Sequence, residues 1–234
     1  MKLSIIIPIY NEQDTVADVL GRVGAARFPV EYEVIVVDDA SKDNTYDTAL
    51  AAQKALGTDA QIKIFRNPVN KGKGYSIRKG ISESGGDIII IQDADTEYDP
   101  RDIPKVIAPI IAGDEKVVYG SRFLGVRRPD GMALPNFIAN SALTFLTNLL
   151  FGTRITDMET CYKAMRVDII KGMKLRANRF TFEPEVTAQV AKLGVRIKEV
   201  PISYSGRSAK QGKKIKAKDF FYAIGVLLYQ RFMP

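Results

Sequence analysis

Asp87-Ile88-Ile89-Ile90-Ile91-Gln92-Asp93-Ala94-Asp95 is the stretch that decides the fold. Its four consecutive isoleucines do not alternate apolar with polar. A strand built from them is covered on both faces, as strands in parallel sheets are. Comparable runs, mostly β-branched, lie upstream at 3–9, 34–37 and 62–65 and downstream at 117–119. The intervening stretches 12–26, 44–56, 74–84 and 102–112 have helical composition. Repeated β-α-β units predict an α/β fold with an open, mainly parallel sheet and helices on both faces.

Ligands of such sheets bind at the carboxyl ends of the strands. The notable polar residues fall there: Tyr10-Asn11-Glu12 after the first run, Asp38-Asp39 after the second and Asp93-Ala94-Asp95 after the fourth. Residues two apart in extended chain point to the same side, so Asp93 and Asp95 are placed to share one cation. Paired hard oxygens suit Mg²⁺ or Mn²⁺, particularly when substrate phosphates complete the shell. Glu97 extends the same face as a third or water-mediated ligand. An acid pair in a loop more often only faces solvent; its place at a strand end argues for metal.

Two further loops stay open between readings. In the segment 38–45, Ser41 or Asp43 caps the next helix, while Asp39 is placed to accept from a nucleobase or ribose hydroxyl. Asn70-Lys71-Gly72-Lys73-Gly74 opens a helix and suits either an ordinary loop or a pyrophosphate approaching the backbone. It matches neither of the common glycine-rich phosphate fingerprints.

The second half reads as helices at 135–151 and 181–193, a strand at 195–200, a basic loop and an apolar helix at Ala217–Phe232. No internal repeat or linker divides it. The chain of 234 residues is 46% hydrophobic and 26% charged, enough for a sizeable core. Its net charge of +7 points to anionic partners. Residues 196–218 hold eight basic side chains against one acid, which accounts for the whole excess. No nucleic-acid motif or aromatic platform accompanies these charges, so nucleic acid is not an expected partner.

The absence of histidine excludes Ser-His-Asp triads and His-based zinc sites, leaving oxygen ligands for any metal. Cys161, the single cysteine, fits a reducing compartment and a small buried apolar role. The short apolar run at 3–9 reads as a strand rather than a secretory leader. The longest apolar stretch, 220–229, is well below the roughly 20 residues that span a bilayer. The helix 217–234, beside a polybasic stretch, either lies amphipathically on an anionic leaflet or packs on the domain. Leu143, Leu146 and Leu150 on the earlier helix are expected to pack inward.

Ile7-Pro8-Ile9-Tyr10-Asn11-Glu12, Val37-Asp38-Asp39-Ala40-Ser41, Asn70-Lys71-Gly72-Lys73-Gly74 and Gln92-Asp93-Ala94-Asp95 resemble, in order and spacing, the signatures of family 2 glycosyltransferases. Gly120-Ser121-Arg122-Phe123, Thr156-Asp157-Met158-Glu159-Thr160-Cys161-Tyr162-Lys163, Phe182-Glu183-Pro184-Glu185 and Val200-Pro201-Ile202-Ser203-Tyr204 are similar to the polyprenyl-phosphate hexosyltransferases. These include the dolichyl-phosphate mannose and glucose synthases.

The resemblance implies a Rossmann-like fold of the glycosyltransferase A type. It implies a catalytic domain at 1–216, with a donor half at 1–122 and an acceptor half at 123–216, followed by the helix 217–234. Pro8, Tyr10, Glu12, Asp39 and Lys71 would hold the nucleoside, with Asp93 and Ala94 beside it. Asp93, Asp95 and Glu97 would carry Mg²⁺ or Mn²⁺, the family often having Gln where Glu97 stands. Arg122 would face the acceptor phosphate, and Arg207 and Lys214 would close over the donor phosphates. Similar enzymes carry a second basic residue about fourteen positions beyond Arg122, where this chain has Asn136; Arg127 or Arg128 is the nearest substitute.

The implied reaction is inverting transfer of a hexose from a GDP- or UDP-sugar to a polyprenyl phosphate. The expected placement is cytoplasmic, peripheral on the cytoplasmic face of the membrane. The alternative is a soluble family 2 enzyme acting on a saccharide or other hydroxyl. A phosphate acceptor, largely dianionic at neutral pH, needs no strong base. A hydroxyl acceptor does, and Asp157 or Glu159 would supply it.

Overall fold

The computed structural model describes residues 1–57, 61–126, 128–206 and 217–233. The elements run β1 (Lys2–Ile9), α1 (Val16–Ala25), β2 (Glu31–Asp38), α2 (Thr45–Ala55), β3 (Gln61–Arg66), α3 (Lys73–Glu83) and β4 (Ile88–Ile91). A short 3-10 helix (Pro100–Asp102) leads into α4 (Ile103–Ile111) and β5 (Val117–Ser121). Then come α5 (Leu134–Phe151), β6 (Lys163–Arg166), α6 (Val167–Lys171), α7 (Phe182–Lys192), β7 (Ile197–Pro201) and α8 (Ala217–Phe232).

Seven strands form one sheet in the order β3-β2-β1-β4-β6-β5-β7. The pairs β1–β2, β2–β3, β1–β4 and β5–β7 are parallel, while β6 runs antiparallel to both β4 and β5. The mainly parallel α/β architecture read from the sequence is therefore present. Its antiparallel member was not read, because Lys163–Arg166 is only four residues long and begins and ends with a charge.

Consecutive residues of β1 (Ile5, Ile6, Ile7) and of β4 (Ile88, Ile89, Ile90) are all fully buried, so both faces of the central sheet are covered. Helix α3 comes close enough to β1 that a Cβ on Gly80 would lie 2.5 Å from Ile6 Cγ2. A glycine is what that approach requires. Glu33 on β2 is the polar exception inside this half. Its buried carboxylate accepts from Ser4 Oγ at 2.8 Å, Gly85 N at 2.7 Å, Lys63 Nζ at 3.0 Å and Lys2 Nζ at 3.2 Å.

A second, smaller core joins α5, α7 and α8 around Leu143, Met158, Ala188, Ala223 and Leu227, with Leu146 and Leu150 packed against it. The three leucines of α5 thus face inward as expected. Helix α8 packs through one side and leaves Phe221 and Phe232 about 70% exposed on another, at 70% and 72%. Among the described residues no helix is long and apolar enough to cross a membrane.

Candidate active site

The loops that follow β1, β2 and β4 meet at one end of the sheet. Three non-glycine residues among those described have positive φ, and each sits in one of these loops: Asn11 (φ 50°), Ala40 (φ 57°) and Thr96 (φ 62°). A β-branched threonine is costly in the left-handed region, and such conformations concentrate where function holds the chain. The first two loops are tied together. Asn11 N donates to Ser41 Oγ at 3.0 Å, Lys42 N to Asn11 Oδ1 at 2.9 Å and Glu12 N to Thr45 Oγ1 at 2.7 Å.

A cleft of about 1120 Å³ opens over these loops. At the strand ends it is lined by Pro8, Tyr10, Glu12, Asp39, Asp93, Ala94, Asp95 and Glu97. Its middle is lined by Lys73, Arg122, Glu159, Arg179 and Glu183. Beyond them it runs between α5 and α8 past Leu134, Ile138, Ala142, Leu143, Phe220 and Phe221. One continuous space thus grades from polar to apolar.

Most of the residues singled out in the sequence share this cleft, with corrections of detail. Lys71 does not line it; its ammonium lies over the Tyr75 ring, 4.3 Å from the centroid, and Lys73 takes the place facing the cleft. Spacing alone could not separate two lysines on either side of a glycine. The glycines of this loop admit protein backbone. A Cβ on Gly72, which has φ 99°, would lie 2.3 Å from the Asn178 carbonyl oxygen, and one on Gly74 would lie 2.6 Å from that of Ala177. Tyr75 N also donates to Asn178 O at 3.1 Å. The start of α3 is therefore a seat for the 177–179 segment.

Asp39 is buried, and its carboxylate accepts from Asn67 Nδ2 at 2.8 Å, Lys71 N at 2.9 Å and Gly72 N at 2.6 Å. It sets the shape of the nucleotide end by holding the 67–72 loop.

The three carboxylates expected around one metal are not gathered: no cluster of three or more His, Cys, Asp or Glu suited to a metal occurs among the described residues. Asp93 turns instead to Lys73, whose Nζ lies 2.8 Å from Oδ1 and 3.0 Å from Oδ2. The same ammonium is 2.9 Å from Glu183 Oε1. Asp95 and Glu97 remain as the acidic pair of the β4 loop. Glu97 N donates to Asp95 Oδ1 at 3.2 Å, and Tyr204 Oη donates to Glu97 Oε2 at 2.9 Å. That hydroxyl orients Glu97 as second-sphere donors orient metal ligands. Two hard oxygen ligands beside room for a diphosphate match the habit of Mg²⁺, which takes few protein carboxylates and fills its shell with phosphate and water.

Arg122 and Asp157 form a buried bidentate pair. Nε lies 2.7 Å from Oδ2 and Nη2 2.8 Å from Oδ1, and Arg122 N also donates to Oδ2 at 3.0 Å. Tyr98, Phe123 and Tyr204 surround the guanidinium, with ring centroids 5.9, 5.6 and 5.3 Å away. Burial opposes the arginine's charge, but Asp157 outweighs it and keeps the group cationic. Asp157 is fully buried and does not line the cleft, so the geometry gives it the holding of Arg122 and not proton transfer from a ligand.

Glu159, two residues on, does line the cleft. Burial and the neighbouring Glu183 push its carboxyl up to about 7, against the pull of Lys163 and Arg122. Asn136 lines the cleft where a basic residue was anticipated, and Arg128 is exposed away from it. Arg207, Lys214 and Arg127 lie outside the described residues. Lys73 and Glu183 had no signal of their own as a pair, since their contact joins the start of α3 to α7.

The glycosyl transferase family 2 profile matches residues 4–173. A dolichol-phosphate mannosyltransferase of Pyrococcus furiosus is 30% identical over 223 residues, covering 94% of this chain, which spans 61% of that protein's length. A UDP-N-acetylglucosamine–dolichyl-phosphate N-acetylglucosaminyltransferase of Methanococcus voltae is 30% identical over 227 residues, covering 90% of this chain and 89% of its own. An undecaprenyl-phosphate mannosyltransferase of Micrococcus luteus is 29% identical over 219 residues, covering 91% and 87%. Among solved structures, glucosyl-3-phosphoglycerate synthase from Mycobacterium tuberculosis, in complex with Mn²⁺, UDP and glucosyl-3-phosphoglycerate, superposes with a TM-score of 0.76 at 18% identity. That match covers 100% of this chain and 81% of the other. Profile, relatives and shared architecture agree: the chain belongs to glycosyltransferase family 2 and has the glycosyltransferase A type of fold.

Proposed function

We propose that the chain transfers a hexose, with inversion, from a GDP- or UDP-sugar to a polyprenyl phosphate at the cytoplasmic membrane face. The observation that carries this reading is the gradation of a single cleft. Its strand-end wall is polar, Arg122 stands at its middle, and its far wall is carbon contributed by α5 and α8. A nucleotide sugar suits the first part, an acceptor phosphate the second and an isoprenoid tail the third. The named relatives act on dolichyl and undecaprenyl phosphates, which supports the same acceptor class here.

Pro8, Tyr10 and Glu12 would flank the nucleoside over the loop that Asp39 braces. Asp95 and Glu97 would hold Mg²⁺ or Mn²⁺ together with the diphosphate. When bound, the cation supplies positive charge against the negative charge of the departing nucleoside diphosphate. Arg122, fixed by Asp157, orients the acceptor phosphate. A phosphate oxygen forms the new bond to the anomeric carbon as the bond to the diphosphate oxygen breaks on the opposite face. No proton needs removing from a dianionic phosphate, which agrees with Asp157 being engaged by Arg122. The exposed aromatics of α8, next to a polybasic stretch, would rest on an anionic leaflet. We place the catalytic domain at 1–216, with donor and acceptor halves divided near Arg122.

The second reading, a hydroxyl acceptor, rests on Glu159, whose raised pKa suits a base working near neutrality. Thermal shift with UDP- and GDP-sugars tests the donor site. Stabilisation with Mn²⁺ that falls at least tenfold in apparent affinity with EDTA, and in Asp95→Ala, is expected. Equal affinity with and without EDTA would remove the cation from the account.

A further inference from the structure

The mechanism above gives Glu159 no part in transfer to a phosphate. Glu159 stands on the cleft wall, yet its Oε1 is shielded from solvent and has no hydrogen-bond partner among the described residues. Buried polar oxygens are nearly always satisfied, and an unsatisfied one at a ligand site is completed by the ligand. The donors near Glu159 are committed elsewhere. Lys163 Nζ donates to Met158 O and Thr160 O, both at 2.6 Å, and two nitrogens of Arg122 donate to Asp157. Lys73 is held between Asp93 and Glu183.

The position of Glu159 says what that ligand atom belongs to. The nucleoside end of the cleft lies at β1 and β2, the acidic pair follows β4, and Arg122 marks the acceptor side. A sugar carried between a diphosphate and an acceptor phosphate occupies the middle, where Lys73, Arg122, Glu159, Arg179 and Glu183 line the space. Charged groups of both signs make this floor rich in hydrogen-bonding partners for hydroxyls.

We propose, building on the donor reading above, that Glu159 hydrogen-bonds a hydroxyl of the transferred sugar. Glu159 is then a specificity residue that contacts the substrate. The groups facing it are Glu183 from α7, Lys163 from β6, Arg122 from the end of β5 and Asp157 from its own loop. Below about pH 7 the neutral acid both donates and accepts. Above it, the ionised group accepts only.

The test compares binding of UDP-glucose, GDP-mannose, UDP and GDP by calorimetry with Mn²⁺. Glu159→Ala should lose roughly ten- to a hundredfold in affinity for the sugar nucleotide, the range for a hydrogen bond to a group of this kind. It should leave the affinity for UDP or GDP alone unchanged. Glu159→Gln, which keeps shape and both hydrogen-bonding roles, should retain most of the sugar-dependent affinity. Sugar-dependent binding that survives in Glu159→Ala would overturn the inference, as would a loss confined to turnover, which would make Glu159 a proton-transfer group. Absence of binding by every nucleotide would instead bring down the donor reading itself, and this inference with it.

Discussion

The two ends of the cleft are built by different means. At the ends of β1, β2 and β3, loops are held by hydrogen bonds to one another, and Asp39 alone takes three. At the α5–α8 end, shape comes from helices seated on a small apolar core, and the surface they offer a ligand is hydrocarbon. The first arrangement fixes individual polar atoms, so single substitutions there should change recognition. The second fixes a surface, so a residue matters according to whether it faces the core or the open side.

The largest effect should fall at the junction of the two ends. Asp157→Ala leaves the Arg122 guanidinium buried without its partner, an arrangement that costs about 3–5 kcal/mol. Urea denaturation reads this as a lowered midpoint with an unchanged slope. A change below about 1 kcal/mol would show that the pair is dispensable to the fold. At the apolar end, Leu227→Ala should cost about 2–5 kcal/mol, since the side chain is fully buried in the second core. That result would confirm α8 as part of the folded unit. A near-zero cost would detach it.

The polar half should also carry acid sensitivity. Burial pushes the Glu33 carboxyl up, but the donors from Gly85, Ser4, Lys63 and Lys2 outweigh it and bring the group to about 2 from 4.5. The folded protein then binds fewer protons than the unfolded chain across that interval. Stability is complete above about pH 4.5 and falls as the pH drops towards 2, by roughly 3 kcal/mol at 1.36 kcal/mol per unit. Glu33→Gln should flatten this part of the stability–pH curve. An unchanged curve would assign the acid response to other groups.

The smallest effect is at the open side of α8. Phe232→Ser should leave stability within about 0.5 kcal/mol, because the ring is 72% exposed. Its binding to vesicles containing anionic lipid should nevertheless weaken several-fold in a flotation assay. Equal flotation would argue that this face does not touch lipid.

The difference between the halves also governs what could be read in the chain. Strands β1, β2, β4 and β5 were legible because doubly covered strands are plain apolar runs, β3 by the Ile62, Ile64 and Phe65 of an edge strand, and the ligand loops follow at their ends. β6 was hidden by Lys163, a buried lysine whose partners are backbone carbonyls at Met158 and Thr160. The candidate site was legible as a set of strand-end acids. It was not legible as a set of pairings: Lys73 with Asp93 and Glu183, or Arg122 with Asp157, join residues far apart in the chain. Only the packing of the sheet with its helices brings them together.

The most direct measurement of the central claim is nucleoside diphosphate release from UDP- and GDP-hexoses in Mn²⁺, with a short-chain polyprenyl phosphate or free saccharides as acceptor. The account predicts release with the polyprenyl phosphate, formation of the matching lipid-linked sugar, and a fall of roughly a hundredfold in Arg122→Ala, the loss that a misplaced reactant brings. Release with saccharides and none with the lipid phosphate would contradict it.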